Sequence, residues 1–323
     1  MLISVLLFVF GFFLLIKGGD WFVDAASSIA HRFHMPELLI GATVVSIGTT
    51  LPEVMVSAQG AMAGSGSIAF GNAIGSIICN TSLIAAITLV AKPASVDRKT
   101  LILPTAAFFI AAAYYCFNAY AFGAFSRLSG LILLAMFAVY MVVTVLQMKK
   151  NPVEAPQEES DGSEPDSSFT RDILMLIIGA IVIAIGARLL VDNAQILAAA
   201  IGVPESVIAL TLVALGTSLP ELVTAVTSLM KGCGALSLGN IIGANLFNLV
   251  LVSGTSVALA PFEVPVGNMI AGINSSLILD IPLMLTVMLL LTVPALIKKK
   301  LSRWQGITLL AIYAAFCVVQ FVM

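Results

Sequence analysis

The sequence contains little charge. Only 10% of its 323 residues are Asp, Glu, Lys or Arg, whereas 60% are hydrophobic, and the mean hydropathy is +1.09. A water-soluble domain of this length needs a polar surface, so the composition excludes that class and indicates a polytopic membrane protein. The net charge of −2 and the lack of a basic patch give no indication of nucleic-acid binding.

Motifs for metal, redox or nucleotide chemistry are also scarce. The four cysteines form no CxxC pair, so the sequence predicts neither a disulfide framework nor a zinc site. No HExxH motif, Ser/His dyad or nucleotide-binding motif occurs. We therefore expect a protein that is not an enzyme, has no cofactor and has no obligate protein partner.

Long apolar runs make up most of the chain. Runs near 20 residues cross a bilayer as helices, and here they are continuous rather than alternating, which excludes a barrel. The predicted fold class is an all-α polytopic membrane protein embedded in the lipid bilayer. Its ten predicted transmembrane helices are 3–30, 37–62, 67–90, 101–118, 128–148, 172–199, 205–230, 236–258, 280–297 and 304–322.

The chain contains an internal duplication with a fixed offset of 168 residues. Gly-Thr-Thr-Leu-Pro-Glu at 48–53 recurs as Gly-Thr-Ser-Leu-Pro-Glu at 216–221, and Gly-Asn-x-Ile-Gly follows both copies. Between 36–80 and 204–248, 18 of 45 positions are identical. Such a duplication in a membrane protein predicts two structural repeats of similar fold.

The repeats are predicted to be inverted. Residues 1–150 form the first five-helix repeat and 170–323 the second, joined by an acidic, Pro/Ser-rich cytoplasmic linker at 151–169. Five spans per half place the second half in the membrane with the opposite orientation. Twelve of the 15 basic residues fall on the linker side, which predicts an inner-membrane protein with both termini outside the cytoplasm.

Two carboxylates lie at mid-membrane in the duplicated segments. Glu53 and Glu221 each follow a proline, and a proline frees the carbonyl four residues earlier, here that of Gly48 or Gly216. We expect a helix break at each proline, with carbonyl, hydroxyl and carboxylate oxygens close together. This is the ligand set that calcium prefers, and a charge of −2 balances one calcium or two sodium ions.

Buried amides accompany the carboxylates. Asn72 and Asn240 are expected to hold the backbone next to the prolines, because an amide in lipid needs partners. Asn80 and Asn248 are also paired by the duplication and are expected near the ion. Ser76 adds a hydroxyl in the first half only.

In both halves, Gly-Thr-[Thr/Ser]-Leu-Pro-Glu followed by Gly-Asn-x-Ile-Gly resembles the α-repeats (36–80 and 204–248) of the calcium/cation antiporter superfamily, and most of all its prokaryotic sodium/calcium exchangers. The resemblance covers essentially the whole chain. It implies a secondary antiporter that exchanges calcium for sodium by alternating access, with the first and sixth helices sliding. It also implies ion ligands at Glu53, Glu221, Thr49, Thr217, Thr50, Ser218, Ser76, Asn80 and Asn248, and at the backbone oxygens of Ser46 and Ala214.

Two departures from that family leave the coupling ion open. Some relatives have Asp at the position of Asn248 and Ser at that of Ala244, so the sodium sites can differ. A calcium/proton or potassium-dependent exchanger is the alternative. An intramembrane enzyme and an ion channel are rival classes; inverted repeats with interrupted helices favour a carrier over both.

Overall fold

A computed structural model of the chain describes residues 2–150, 168–200, 214–266, 269–270 and 273–322. Helices lie at all ten predicted positions, and eight of those described are long and apolar enough to cross a membrane. The chain is therefore an all-helical polytopic membrane protein, as predicted. The helices are α1 Leu2–Arg32, α2 Glu37–Met62, α3 Gly66–Ala91, α4 Arg98–Phe122, α5 Arg127–Lys150, α6 Phe169–Ala200, α7 Leu219–Met230, α8 Gly234–Leu259, α9 Ser276–Lys298 and α10 Arg303–Val322.

Two predicted segments fall partly outside the described residues. Of the seventh predicted span, residues 205–213 lie outside them; a helical turn at Ala214–Thr217 and then α7 follow. The predicted linker at 151–169 lies outside them up to residue 167, and Phe169 already begins α6.

The helices differ in how far they are enclosed by protein. The most apolar windows of α3 and α8 are 78% and 89% buried, whereas that of α6 is 22% buried. Helices whose outer surface stays apolar, such as α6, face lipid, because acyl chains solvate them as well as protein does. Polar side chains of α3 and α8 are therefore held away from lipid.

The chain forms two compact units, and each combines parts of both repeats. The first contains Met1–Thr49 and Thr144–Asn240, and the second contains Thr50–Val143 and Ile241–Met323. The boundary after Thr49 lies inside α2, so this helix contributes residues to both units. The compact units thus differ from the two halves of the sequence.

Within the first unit, α1 and α6 pack in opposite directions. A Cβ atom on Gly11 would lie 2.9 Å from the carbonyl oxygen of Gly186, and one on Gly18 would lie 2.9 Å from the amide nitrogen of Ile183. As the residue number increases along α1, the number of the contacted residue on α6 decreases, so the two helices are antiparallel. Because they are counterparts in the duplication, this direction confirms the inversion of the repeats.

Short π-helical segments interrupt three of the spans that carry candidate ligands. They lie at Gly41–Val45 in α2, Asn80–Ala85 in α3 and Asn248–Val252 in α8. Serine hydroxyls donate hydrogen bonds to backbone carbonyls in two of these segments. Ser46 donates to Gly41 O at 2.8 Å, and Ser253 donates to Asn248 O at 2.9 Å. These bonds matter because an unsatisfied carbonyl in a membrane interior is costly.

Three two-residue ladders in the second unit connect loops. β1 Ala94–Ser95 pairs with β6 Lys300–Leu301, β2 Ala124–Phe125 with β3 Phe262–Glu263, and β4 Met269–Ile270 with β5 Ile273–Asn274. The loops joined by β1 and β6 are both predicted to be cytoplasmic, and those joined by β2 and β3 are both predicted to be outside. The pairing therefore agrees with the predicted order of crossings.

Candidate ion-binding site

The two Pro-Glu segments have different backbone conformations. α7 begins after a break at Ser218, which has φ −90° and ψ 5°, and Pro220 lies in its first turn. At Pro52, by contrast, the α-helix runs without interruption from Ser46 to Met62. The predicted break at Pro52 is therefore wrong: a proline removes only its own donor, and the surrounding helix continues. The irregularity in α2 lies earlier, in its π-helical segment.

Glu53 and Glu221 are both fully buried, with 0% of each residue exposed. Glu221 belongs to the first compact unit and Glu53 to the second. Ionised side chains in a membrane interior are expensive and are normally retained for ion or proton binding. Their burial at equivalent positions of the duplication makes them the principal candidates for binding a cation.

The glycine before each Pro-Glu segment contacts the first helix of its own repeat. A Cβ on Gly48 would lie 2.9 Å from the ring of Phe22 in α1, and one on Gly216 would lie 2.5 Å from a methyl group of Val191 in α6. A larger residue at either glycine would push the side chain of Phe22 or Val191 aside. Both long helices thus lie directly against the segments that lead to the glutamates.

Asn240 connects three polar segments within the first unit. Its Oδ1 accepts a hydrogen bond from the Thr49 hydroxyl at 3.2 Å, and its Nδ2 donates to the Thr224 hydroxyl at 2.8 Å. Thr224 in turn donates to the carbonyl of Pro220 at 2.9 Å, and Ser46 donates to Asn240 O at 3.0 Å. A hydroxyl that donates its hydrogen in this way keeps oxygen lone pairs for a cation.

Asn72 has the corresponding role in the second unit. Its Nδ2 donates to the carbonyl of Glu53 at 3.3 Å and to the hydroxyl of Ser57 at 2.8 Å. The expectation that Asn72 holds the backbone next to Pro52 is therefore confirmed. Asn240 does not bond the backbone next to Pro220 directly; it bonds the Thr224 hydroxyl, which in turn bonds the carbonyl of Pro220. The prediction missed the partners Thr224 and Ser57, although Thr224 follows Glu221 by three residues and so shares its helix face.

Three further predicted ligands, on α3 and α8, are almost completely buried. Asn80 and Asn248 are 0% exposed and are the first residues of the π-helical segments in α3 and α8. Asn248 donates its amide to Ala244 O at 3.0 Å, which leaves Oδ1 as an acceptor. Ser76 is 3% exposed, on α3 before Asn80.

Several of these oxygens have no hydrogen-bond donor among the residues that the structure describes. They are Oγ1 of Thr50, Oδ1 of Asn80, Oδ1 of Asn248 and Oγ of Ser218, all in residues that are 0% exposed. A buried acceptor without a donor is destabilising unless something else coordinates it. Oxygen atoms of this kind are suitable ligands for a hard cation such as calcium or sodium.

The compact units divide the predicted ligands into two sets. Ser46, Thr49, Ala214, Thr217, Ser218 and Glu221 belong to the first unit, and Thr50, Glu53, Ser76, Asn80 and Asn248 to the second. Ala214 and Thr217 are the two ends of the helical turn that precedes Ser218. The duplicated motif thus supplies candidate oxygens to both units.

The other acids on α1 and α6 have basic partners. Lys231 Nζ lies 2.7 Å from a carboxylate oxygen of Asp24, and Arg188 lies 3.6 Å from Asp192 one helical turn away. Asp172 pairs with Arg32 at 3.7 Å. These ion pairs account for acids that could otherwise have competed as site residues.

Comparisons with known proteins agree with this architecture. The family model described as sodium/calcium exchanger protein matches residues 3–146 and 172–322. The sodium/calcium exchanger MaX1 of Methanosarcina acetivorans is 30% identical over 99% of both chains. The uncharacterized membrane protein MJ0091 of Methanocaldococcus jannaschii is 35% identical over 97% of this chain and 96% of its own. The inner membrane protein YrbG of Escherichia coli is 34% identical over 82% of both chains.

A solved structure shares the whole fold. The sodium-calcium exchanger NCX_Mj, soaked with 2.5 mM Na+ and 10 mM Sr2+, superposes with a TM-score of 0.81 at 32% identity and covers 98% of both chains. The same exchanger soaked without Na+ and Ca2+ gives a TM-score of 0.80 over 99% of both chains. The match extends through both repeats, including the segments that carry Glu53 and Glu221. The chain therefore belongs to the sodium/calcium exchanger family.

Proposed function

We propose that this protein is a secondary antiporter that moves calcium in exchange for sodium across the inner membrane by alternating access. The complete burial of Glu53 and Glu221, at equivalent positions of inverted repeats in a member of this family, carries the proposal. Together the two carboxylates match the charge of one calcium or two sodium ions. Calcium and sodium are the transported substrates, with no cofactor and no chemical reaction.

The proposed ligands supply the kinds of oxygen that calcium binds. Calcium takes six to eight oxygens and accepts carboxylate, carbonyl and amide groups together. The buried acceptors described above support this set. We assign the ion ligands to Glu53, Glu221, Thr49, Thr50, Thr217, Ser218, Ser76, Asn80 and Asn248, with backbone oxygens of Ser46 and Ala214.

Competition for the same oxygens couples the two ions. An ion that is neutralised by the glutamates can be carried past lipid, whereas the empty and ionised pair is disfavoured. Exchange then follows because either calcium or sodium must be bound for the carrier to reorient. With both termini outside and the linker in the cytoplasm, an inward sodium gradient drives calcium out of the cell.

Uptake into vesicles tests this function. Purified protein is reconstituted into liposomes loaded with sodium and diluted into sodium-free buffer that contains radioactive calcium. We expect uptake that requires the sodium gradient, saturates with calcium and disappears when sodium is equal on both sides. Uptake driven by a proton gradient alone, with no effect of sodium, would contradict the proposal, and uptake that requires potassium would restrict it.

Substitution of the carboxylates tests the site. Glu53→Gln and Glu221→Gln keep the side-chain shape and remove one charge each, so each should abolish calcium uptake and calcium binding. The control is Glu263→Gln, which removes an exposed carboxylate in β3. Calcium exchange retained in both buried variants would remove these residues from the site.

A further inference from the structure

A fully buried polar cluster joins three helices of the second unit. Asn245 in α8 donates its Nδ2 to the hydroxyl of Thr81 in α3 at 2.7 Å, and this nitrogen lies 3.1 Å from the sulfur of Met288 in α9. The Thr81 hydroxyl lies 3.4 Å from the same sulfur. All three residues are 0% exposed, so breaking the contact would leave polar groups in apolar surroundings.

The cluster lies immediately beside two candidate ion ligands. Thr81 directly follows Asn80 within the π-helical segment of α3, and Asn245 precedes Asn248 by three residues in α8. A π-helical turn is less regular than the α-helix on either side, so its position depends on outside contacts. The Thr81–Asn245 hydrogen bond provides such a contact between the two segments that begin with Asn80 and Asn248.

The duplication does not account for this contact. At an offset of 168 residues the counterpart of Asn245 is Ile77 and that of Thr81 is Leu249, and both are buried apolar residues. An amide placed once in an otherwise apolar position is rarely favoured for stability alone, because an apolar side chain of similar volume avoids its desolvation. The presence of Asn245 therefore indicates a positional role for its contact with Thr81, which the equivalent pair, Ile77 and Leu249, does not have.

We propose that Asn245 and Thr81, assisted by Met288, are positioning residues that fix the separation of Asn80 and Asn248. They set the affinity for the transported cation without touching it. The inference rests on the proposed function in that Asn80 and Asn248 are taken as ion ligands. It adds a determinant of affinity that lies outside the duplicated motif.

Isosteric substitutions test the proposal in reconstituted vesicles. Thr81→Val removes the hydrogen bond with little change in volume, Asn245→Leu removes it with the same side-chain branching, and Thr81→Ser keeps the hydroxyl. We expect the first two to raise the calcium concentration for half-maximal uptake roughly tenfold, with a maximal rate within about twofold of the unchanged protein. Thr81→Ser should have the same half-maximal calcium concentration as the unchanged protein. The double variant Thr81→Val/Asn245→Leu should raise this concentration no more than either single variant does.

A matched control separates position from general stability. Asn118→Leu removes a mostly buried asparagine whose side chain bonds, among the residues that the structure describes, only within its own helix, to Tyr114 O at 2.8 Å. It should lower the melting temperature without changing calcium dependence. If Thr81→Val and Asn245→Leu behave like this control, the cluster is merely structural and the inference is overturned.

Hydrogen exchange of the full-length protein in detergent gives a test that needs no transport. In Thr81→Val and Asn245→Leu, amides of 80–85 and 248–252 should exchange faster, whereas in Asn118→Leu they should not. Unchanged exchange in both segments overturns the inference. If the unsubstituted protein shows no sodium-driven calcium uptake, the proposed function fails, and this measurement still decides the role of the cluster.

Discussion

Replacing Asn240 by leucine is a sharp test of how the candidate site is organised. Leucine has the same branching as asparagine and is somewhat larger, but its side chain cannot form a hydrogen bond. The substitution removes the acceptor of Thr49, at 3.2 Å, and the donor to Thr224, at 2.8 Å, from a residue that is 1% exposed. Both lost partners lie next to the Pro-Glu segments.

The expected loss of stability depends on which hydrogen bonds Thr224 and Thr49 keep in Asn240→Leu. Thr224 keeps the carbonyl of Pro220 at 2.9 Å, so it loses little. Within the described part of the chain, Thr49 keeps only the carbonyl of Ser46 at 3.5 Å, which is at the limit of a hydrogen bond. One poorly bonded buried hydroxyl corresponds to about 1–2 kcal/mol of destabilisation. If Thr49 is an ion ligand, loss of its orientation should also weaken calcium binding about tenfold.

Titration calorimetry and thermal unfolding of the detergent-purified protein measure the two effects separately. The control is Asn193→Leu, because Asn193 lies in the same unit and, among the described residues, its side chain bonds only Leu189 O of its own helix, at 2.7 Å. The control should lower the melting temperature alone. Calcium affinity that is unchanged in Asn240→Leu would refute the reasoning, because Thr49 would then not be oriented by Asn240 or would not bind the ion.

Two further predictions concern the competition between sodium and calcium and the movement of α1. Asn248→Asp adds a carboxylate at a proposed ligand position, so sodium should compete with calcium at lower concentration while calcium affinity changes less. Competition binding measures both affinities, and equal shifts for the two ions would contradict the prediction. Gly11→Leu adds a side chain at a position where even a Cβ would lie 2.9 Å from the backbone of α6. If α1 moves during transport, the transport rate should fall more than calcium affinity. Its control is Gly234→Ala, which meets no heavy atom within 4 Å among the described residues, and equal losses of rate and binding would count against movement of α1.

Much of this architecture could be predicted because the bilayer imposes strong constraints on sequence. Apolar runs located the helices to within a few residues, since a spanning segment must satisfy its own backbone. The burial of Glu53 and Glu221 followed from duplication within apolar segments. The backbone partner of Asn72 could be predicted because a buried amide must bond nearby groups, whereas the Thr224 hydroxyl that Asn240 bonds was not predicted.

Local backbone irregularities could not be predicted. A π-helical segment needs only a shifted hydrogen-bond pattern and has no distinctive composition, so Asn80–Ala85 reads as ordinary helix. The prolines led to one break too many in the prediction. Pro52 and Pro220 share the same sequence context, yet the helix is interrupted beside Pro220 and continues through Pro52. Whether a helix continues through a proline depends on its neighbours, which a single sequence does not reveal.

The two halves meet the same physical demand with different supporting residues. Asn72 donates to Ser57, whose counterpart at an offset of 168 is Ala225; Asn240 donates to Thr224, whose counterpart is Val56. The hydroxyl partner has thus moved by one residue between the repeats, because any nearby acceptor satisfies a buried amide. Groups that surround an ion have less freedom, since each oxygen must lie at coordinating distance. Exact correspondence between repeats therefore finds candidate ligands, whereas the residues that orient them are found only from hydrogen bonds in the folded chain.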